Sequence, residues 1–321
     1  MDLTPNDEQI ALQTATADWC RDHMPLEAAR ARPAGLWDQL EAMGLPRLTA
    51  PEANGGLTLD HATEALVFAE LGRFLAPVGL LSSAVANRWF AEPFDGKVAL
   101  ALTVDEPGPL RVLDPVDSAA VLMLQPGSVR VFDIPDSFLN QMTRQQHVTV
   151  HRPTIDLSTM QSAQAWTTTA VWTENDVRPP LHLQLLAAAY AVGCADAARD
   201  MAADYAKLRE QFDRPIGWFQ ALKHMCSDMA VRAAVARSQL YYAACALDEN
   251  AADAAFHVAA AKRLADQAAL DNGRANIQVH GGIGMTDEHD AGLYIKRAQI
   301  LETMWGNAAY HRERFARLNG Y

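Results

Sequence analysis

The stretch Arg209-Glu-Gln-Phe-Asp-Arg-Pro-Ile-Gly-Trp-Phe-Gln220 separates two long segments in which apolar residues recur every three to four positions. The first segment covers residues 186–208 and the second begins at Phe219, and this spacing is typical of amphipathic helices. Pro215 and Gly217 interrupt the pattern, because both residues disfavour a continuous helix. The stretch therefore predicts a sharp turn between two long helices of an α-helical bundle.

A helix start beside an arginine is a suitable place for a phosphate group, because the backbone N–H groups and the guanidinium of Arg209 point the same way. Spacing alone is equally typical of an ordinary helix hairpin with a solvated arginine. The second informative stretch is QVHGGIGMT at residues 278–286, whose glycines permit close backbone approach to a ligand. It follows a helical pattern rather than a strand, which argues against a dinucleotide-binding Rossmann turn and leaves a helix C-cap with a loop as the alternative.

The whole chain divides into three regions that differ in their residue patterns. Residues 1–95 contain helical patterns, residues 96–178 contain short runs rich in Val, Thr and aromatic residues, and residues 179–321 are helical again. The short runs are VALALTV, RVLDPV, AAVLML, SVRVFDI, HVTVH and AWTTTAVW. We therefore expect a mainly α protein with a small β domain: an N-terminal helical domain, a middle antiparallel β barrel or sandwich, and a C-terminal helical bundle.

The composition indicates a globular protein built mostly of helices. Half of the 321 residues are hydrophobic, which is enough for a sizeable core, and aromatic residues make up only 7%. With 27 Lys and Arg against 39 Asp and Glu, the formal net charge is −12. This charge argues against nucleic acid or an anionic membrane surface as a partner, since both require a basic face. No apolar run reaches the roughly 18 residues of a membrane span, and the N-terminus lacks a signal pattern.

The four cysteines form no Cys-x-x-Cys pair; they are Cys20, Cys194, Cys226 and Cys245. Their spacing predicts neither a zinc site nor a disulfide framework. Reduced, mostly buried thiols are typical of a reducing compartment, so we expect a cytoplasmic protein without a metal.

With these motifs in place, the chain resembles the acyl-CoA dehydrogenase family over nearly its whole length. The N-terminal motifs that carry the resemblance are LWDQLEAMGL at 36–45, PEANGG at 51–56 and AELGR at 69–73. The C-terminal motifs are the stretch at 209–220, QVHGGIGMT at 278–286 and IKRAQILETMWGN at 295–307. Arg209 and Gln220 stand eleven positions apart, as the arginine and glutamine of the family do.

The resemblance implies a fold with an N-terminal helical domain, a middle β domain and a C-terminal four-helix bundle, and it implies FAD bound at a subunit interface. The residues that match the family's contacts to the pyrophosphate and adenosine end of a flavin lying mostly in a neighbouring subunit are Arg209, Phe212, Gln220, Gln278, Val279, His280, Gly281 and Gly282. A hydrogen-bonded structural role is an equal alternative for His280.

The reaction that the resemblance implies removes a proton from the α carbon of an acyl-CoA thioester and transfers a hydride from the β carbon to the flavin. It needs a carboxylate base within reach of the α-proton. The commonest base is the glutamate of a Tyr-Glu-Gly-Thr motif, and Trp305 occupies that slot in Met304-Trp305-Gly306-Asn307. A tryptophan cannot accept the proton, because its ring nitrogen only donates.

No other position supplies an evident base. In other branches of the family the base lies about 26 residues before the arginine, where this chain has Leu183 followed by Gln184. Glu302 is a weak candidate for a relocated base, although a solvated or bridging carboxylate is the simpler interpretation. The middle region also departs from the family: Thr103, Glu106 and Gly108 faintly resemble its flavin-contacting strand, but the elements that cover the flavin ring are not evident.

The motifs for the adenosine end of FAD are thus retained, whereas the base and the elements that cover the flavin ring are not evident. This contrast predicts a subunit that supplies the adenosine-side contacts for FAD to a partner that carries the base. Short family members in bacterial steroid degradation pair in this way as α2β2 heterotetramers, and this chain resembles the partner that lacks the base. The expected ligands are an acyl-CoA substrate, whose acyl group is steroid-type, fatty or branched-chain, and a separate electron-acceptor protein. Two alternatives stay open: a self-sufficient dehydrogenase with a relocated base, and a non-catalytic scaffold without FAD.

Overall fold

The computed structural model describes residues 3–30, 33–90, 93–103, 110–114, 117–125, 128–133, 168–172, 177–304, 306–307, 309–310, 312–313 and 316. Its helices are α1 (Asp7–His23), α2 (Leu36–Ala42), α3 (His61–Arg73), α4 (Gly79–Trp89), α5 (Arg178–Leu208), α6 (Gln220–Asp248), α7 (Ala254–His280) and α8 (Ala291–Thr303). Its strands are β1 (Lys97–Thr103), β2 (Leu110–Leu113), β3 (Ser118–Gln125), β4 (Ser128–Asp133), β5 (Thr168–Trp172), β6 (Glu210–Gln211) and β7 (Arg214–Pro215). The predicted order of helices, strands and long helices is confirmed.

The chain forms two compact units, each assembled from separate segments. One unit contains Met1–Ala29, His61–Ala76 and Gln184–Tyr321, and the other contains Arg30–Asp60 and Pro77–Leu183. The domain boundaries expected after residues 95 and 178 stay predictions.

The first unit is a bundle of long helices with α1 and α3 packed on it. Helix α6 packs against α7, α7 against α8, and α3 against both α1 and α6. Helix α5 contributes an alanine-rich wall in which residues 185–192 are all fully buried. Small side chains on this wall let neighbouring backbones approach closely. A Cβ placed on Gly193 would lie 2.0 Å from the Ala69 carbonyl oxygen of α3.

A carboxylate from the end of α6 caps the start of α3. The two oxygens of Asp248 accept hydrogen bonds from the backbone N–H groups of His61 at 2.8 Å and Ala62 at 3.0 Å. Both donors lie in the first turn of α3, where backbone N–H groups have no partner inside the helix. The contact joins two helices that are far apart in sequence.

Replacing Asp248 with alanine is expected to lower the free energy of unfolding by about 1–2 kcal/mol, because both N–H groups lose their acceptor. Thermal unfolding followed by circular dichroism checks this. The matched control is Asp204→Ala, since that carboxylate is 67% exposed and pairs with Lys207 of its own helix. Equal midpoints for the two variants would contradict a capping role.

The second unit contains the five-stranded sheet, in the order β2-β1-β3-β4-β5. Three of its pairs are antiparallel, but β1 and β3 run parallel, with Leu100 opposite Leu122. The expectation of a purely antiparallel sheet is therefore wrong for this pair. The predicted strand HVTVH lies outside the described residues.

Strand β1 is an interior strand, paired with β2 and β3, and α4 packs against it. Residues 98–101 are all buried, as in a strand covered on both faces. The hydroxyl of Ser82 donates to the carbonyl of Val98 at 2.6 Å, and the hydroxyl of Ser83 accepts from the Val98 N–H at 2.9 Å. A buried ion pair between Lys97 and Asp114, at 3.1 Å, adds to this packing.

Within the described part of the chain, α5 is the one helix long and apolar enough to cross a membrane. Its most apolar stretch has a mean hydropathy of 1.3 and is 100% buried. Complete burial is typical of a core helix, so this helix is weak evidence for a membrane span.

Candidate functional site

The stretch at 209–220 folds as a hairpin that leads from α5 into α6. Strands β6 and β7 pair through Gln211 and Arg214. The two residues between them, Phe212 and Asp213, have φ values of 56° and 61°, as a two-residue hairpin loop with matching twist requires. Asp tolerates this left-handed backbone, whereas a phenylalanine adopts it at a cost. The Phe212 side chain is 81% exposed at the tip.

The hairpin places Arg209 and Gln220 at its two ends. The Arg209 N–H donates to the Tyr205 carbonyl and its own carbonyl accepts from the Ile216 N–H, both at 2.8 Å. Both predicted cofactor residues are exposed, and Gln220 is the first residue of α6. The glycine in this turn is required by packing, because a Cβ on Gly217 would lie 2.9 Å from the Ala206 carbonyl oxygen. The guanidinium and the positive end of a long helix therefore occupy one hairpin.

The second motif lies where α7 ends. Gly281 has φ 66° and ψ −142°, a conformation that only glycine adopts readily, and a 3₁₀ turn over Gly281–Met285 follows. Apart from the adjoining residues, no atom of the described part of the chain lies within 4 Å of the position that a Cβ on Gly281 or Gly282 would take. Gln278 is exposed as well, whereas Val279 is 6% exposed and His280 5% exposed.

An aromatic stack brings the two motifs to the same end of the bundle. The ring of Tyr205, on the last turn of α5, stacks on the ring of His280 with centroids 4.2 Å apart and planes inclined by 29°. Tyr205 is also the residue whose carbonyl accepts from Arg209. The hairpin and the glycine turn are therefore held by one contact. Sequence reasoning missed Tyr205, because nothing in its spacing relates it to a residue 75 positions later.

This arrangement has the donor set and the open backbone that an FAD adenosine end needs. A permanently charged guanidinium at Arg209 and a helix N-terminus suit a pyrophosphate, and the exposed amides of Gln220 and Gln278 can bond ring or ribose atoms. The open positions at Gly281 and Gly282 let a flat ligand lie directly on the backbone. The side chains of Val279 and His280 are used inside the fold, so their predicted contact with FAD stays a prediction.

His280 is hydrogen-bonded as the structural alternative expects. Its Nδ1 lies 2.8 Å from the Asn276 carbonyl oxygen. Burial lowers the pKa of His280, the Asn276 carbonyl opposes this by raising it, and the nearby His289 lowers it further. The imidazole is therefore neutral near pH 7 and donates from Nδ1.

The structure describes one of the two positions at which the family carries a base, and the other lies outside the described residues. Leu183 and Gln184 lie in α5, are completely buried and cannot accept a proton. Trp305 lies outside the described residues. His182 is a titratable neighbour that sequence reasoning passed over, and it is 1% exposed. Its Nδ1 accepts a hydrogen bond from the Trp89 Nε1 at 3.0 Å, which makes it part of the packing of the second unit.

Helix α7 carries a buried charged pair, which contacts the end of α8 shortly before position 305 in the sequence. The Nζ of Lys262 lies 2.5 Å from Asp266 Oδ2 and donates to the Leu301 carbonyl at 2.9 Å. Lys262 is 0% exposed and Asp266 is 4% exposed. Burial raises the pKa of Asp266 to about 6; Lys262 lowers it, and the carboxylate of Glu302 raises it. Glu302, the weak base candidate, is therefore close to a second acidic group.

None of the four cysteines, which all lie in the described residues, forms a disulfide, and Cys20, Cys194 and Cys245 are buried. Burial raises the pKa of Cys20 and of Cys194 to about 12. Thiols with such pKa values are inert as nucleophiles at neutral pH.

Comparison with known proteins supports the resemblance along the whole chain. The acyl-CoA dehydrogenase N-terminal domain model matches residues 6–95, and the C-terminal domain model matches residues 181–318. Acyl-CoA dehydrogenase IpdE2 of Mycobacterium tuberculosis is 34% identical and covers 94% of this chain and 95% of its own length. Acyl-CoA dehydrogenase FadE34 of the same organism is 32% identical over 96% of this chain, which corresponds to 47% of FadE34.

Solved structures have the same fold. The Tcur3481-Tcur3483 steroid ACAD G363A variant superposes with a TM-score of 0.75 at 22% identity, covering 98% of both chains. A chain of the ChsE4-ChsE5 complex from Mycobacterium tuberculosis superposes with a TM-score of 0.72 at 21% identity, and the match covers 100% of this chain and 100% of that chain. The chain therefore belongs to the acyl-CoA dehydrogenase family, whose members are FAD-dependent oxidoreductases acting on CH–CH groups.

Proposed function

We propose that this chain is the subunit of a heteromeric acyl-CoA dehydrogenase that supplies the adenosine-side contacts to FAD, while a second acyl-CoA dehydrogenase-like chain supplies the flavin-ring site and the base. The observation that carries this proposal is the contrast between the exposed turns that flank the long helices and the buried base position. The hairpin and the glycine turn present Arg209, Gln220 and an open backbone to the outside. The base position at Leu183 is closed by a buried apolar side chain.

The exposed aromatic residues of the hairpin support a partner at this end. Phe212 is 81% exposed and Trp218 is 64% exposed. Large apolar side chains grouped this way on a surface commonly mark a contact with another molecule. The Trp218 ring is flanked by two cations, since Arg214 lies 5.7 Å and the Lys223 Nζ 5.5 Å from its centroid. Such a surface suits a partner that presents acidic groups or phosphates.

FAD held by Arg209 and the glycine turn would supply the hydride acceptor of the reaction. The residues of this chain bind and orient the cofactor: Arg209 neutralises pyrophosphate charge, and the turn at Gly281 and Gly282 lets the nucleotide lie against the backbone. The glutamate that takes the α-proton belongs to the partner in this proposal. Orientation alone is a sizeable contribution to rate, since reacting atoms must be held within contact distance.

The relatives support both pairing and substrate class. The two solved structures are named as pairs of gene products, and one is a steroid ACAD. More than half of FadE34 lies outside its match to this chain, enough length for a second chain of this size. We infer an α2β2 assembly in the cytoplasm that acts on a steroid-type acyl-CoA and passes electrons to a separate acceptor protein.

The flavin-to-chain ratio tests this function. Purified alone from a flavin-replete host, the chain is expected to retain almost no flavin. Co-expressed with the acyl-CoA dehydrogenase homologue encoded beside it, the chain is expected to carry close to one flavin per copy. Arg209→Ala should lower retention in the complex about tenfold or more, because charge-assisted hydrogen bonds contribute about 1.5–3 kcal/mol.

The control is Arg21→Ala, which removes a 64% exposed arginine that pairs with Asp18 on α1. It should leave flavin retention unchanged. One flavin per chain in the protein purified alone would contradict the shared site. It would favour a self-sufficient dehydrogenase with a relocated base such as Glu302. No flavin in the complex would instead favour a scaffold without FAD.

A further inference from the structure

A second histidine completes the aromatic stack at the glycine turn. The ring of His280 lies between Tyr205, at 4.2 Å between centroids, and His289, at 4.4 Å. His289 follows the glycine turn, just before α8 begins at Ala291. The stack therefore ties together the end of α5, the end of α7 and the start of α8.

Hydrogen bonds assign the proton on each imidazole. The Asn276 carbonyl can only accept, so the His280 Nδ1 carries a proton. The Ala291 N–H donates to His289 Nδ1 at 3.1 Å, so that nitrogen has a free lone pair. The His289 contact requires a neutral ring, because an imidazolium has no acceptor nitrogen, whereas the His280 contact requires only the proton on Nδ1. A proton added to His289 must go on Nδ1, where it faces the N–H of Ala291 and breaks the bond.

The glycine turn depends on the position of His280. A Cβ on Gly284 would lie 3.0 Å from the His280 Cβ and 2.9 Å from the Ile277 carbonyl oxygen. Gly284 is buried against these atoms, while Gly281 and Gly282 are exposed. A shift of His280 therefore moves the inner wall on which the exposed glycines rest.

We propose that His289 is a positioning residue: while neutral, it holds His280 and the glycine turn in the arrangement that faces the cofactor, and when protonated it releases them. Only the link to FAD rests on the proposed function. The titratable groups of the stack are Tyr205 on α5 and the two histidines, and Asp287, Glu288 and Asp290 stand within two residues of His289 in the sequence. The Asp287 carboxylate bonds the Nζ of Lys296 at 2.8 Å.

The direction of the pH effect follows from the neutral rings. The pKa of His280 is lowered in the folded chain, mainly by burial and also by His289. A histidine whose pKa is lowered by folding stabilises the fold above its ordinary pKa of about 6.5, and this stabilisation is lost as the pH falls below that value. The glycine turn should accordingly loosen in mild acid.

Amide hydrogen exchange of the chain, corrected for the intrinsic effect of pH, tests the proposal without FAD. Between about pH 7.5 and about pH 5.5, proton activity rises about 100-fold, and protection of residues 278–290 is expected to fall at least about tenfold. In His289→Asn the Oδ1 replaces the Nδ1 acceptor but cannot be protonated, so the Ala291 contact should persist at both pH values and the loss of protection should be several-fold smaller than in wild type, the remaining loss coming from His280. His289→Ala lacks the acceptor and should be poorly protected at both.

The control is His23→Asn, an exposed histidine on α1, which should keep the wild-type response. An equal loss of protection in His289→Asn and wild type, or no loss in wild type, would overturn the proposal. The complex with the partner chain should lose FAD over the same pH interval in wild type and retain it in His289→Asn. Absence of flavin at about pH 7.5 with an intact exchange response would count against the shared FAD site and not against the role of His289.

Discussion

Replacing Lys262 with methionine is expected to lower the free energy of unfolding by about 3–5 kcal/mol. The ammonium is 0% exposed and compensates the carboxylate of Asp266, which is itself 4% exposed. Methionine fills a similar volume, so the loss comes from the charge left behind rather than from a cavity. The Leu301 carbonyl near the end of α8 also loses a donor at 2.9 Å. Both effects act on the segment that leads to residues 304–307.

The double variant Lys262→Met, Asp266→Leu separates charge from packing. Replacing both members of a buried pair with apolar groups is often close to neutral, so most of the lost stability should return. Thermal and urea midpoints of the chain measure this, compared between variants because the chain contains two units and need not unfold in one step. A single variant as stable as wild type would show that the pair contributes little.

The pH dependence of the single variant gives an independent check. The pKa of Asp266 is raised to about 6 by burial even with Lys262 present. A carboxyl whose pKa is raised by folding favours the fold below its ordinary pKa of about 3.9, and this contribution is lost as the pH rises through the folded value. Without Lys262 the pKa should rise further, so the variant should be less stable at about pH 8 than at about pH 5.5, and by more than wild type is.

Local patterns predicted the helices because each depends on residues close together in sequence. The breakers Pro215 and Gly217 placed the hairpin correctly, and α5 and α6 end and begin within a few residues of the expected positions. The glycines after α7 were correctly placed at its C-terminus. The orientation of the β1–β3 pair was not predictable, because the same alternation of Val and Leu suits parallel and antiparallel neighbours.

Contacts between distant residues account for what sequence reasoning missed at the site. Tyr205, His280 and His289 meet only because three helix ends converge, and no spacing rule relates them. Lys262 stands beside Arg263 in an alanine-rich stretch, where a lysine is ordinarily solvated. Its burial depends on Asp266 one turn later and on the end of α8, which lies 39 residues further along the chain.

The close crossing of α3 and α5 leads to the second large effect: Gly193→Ala should lower the free energy of unfolding by about 3 kcal/mol or more, or prevent folding of the first unit. The added Cβ would lie 2.0 Å from the Ala69 carbonyl oxygen and 2.8 Å from the Arg73 backbone nitrogen. Both obstacles are backbone atoms of α3, so no side-chain rotation relieves the clash. Gly72 faces α5 in the same way, with its Cβ position 2.4 Å from the Tyr190 carbonyl oxygen.

Helix propensity alone would predict the opposite result, a gain in stability, because alanine in a helix interior is favoured over glycine by about 1 kcal/mol. Gly292, the second residue of α8, is the matched control: outside its own helix and chain neighbours, the nearest described atom to its Cβ position lies 3.8 Å away. Gly292→Ala should therefore raise the thermal midpoint while Gly193→Ala lowers it sharply. Opposite signs for one substitution in two helices would mean that the backbone contact, and not propensity, decides the outcome at Gly193. A rise in both would mean that α3 and α5 can separate without loss, and that their close approach does not hold the first unit together.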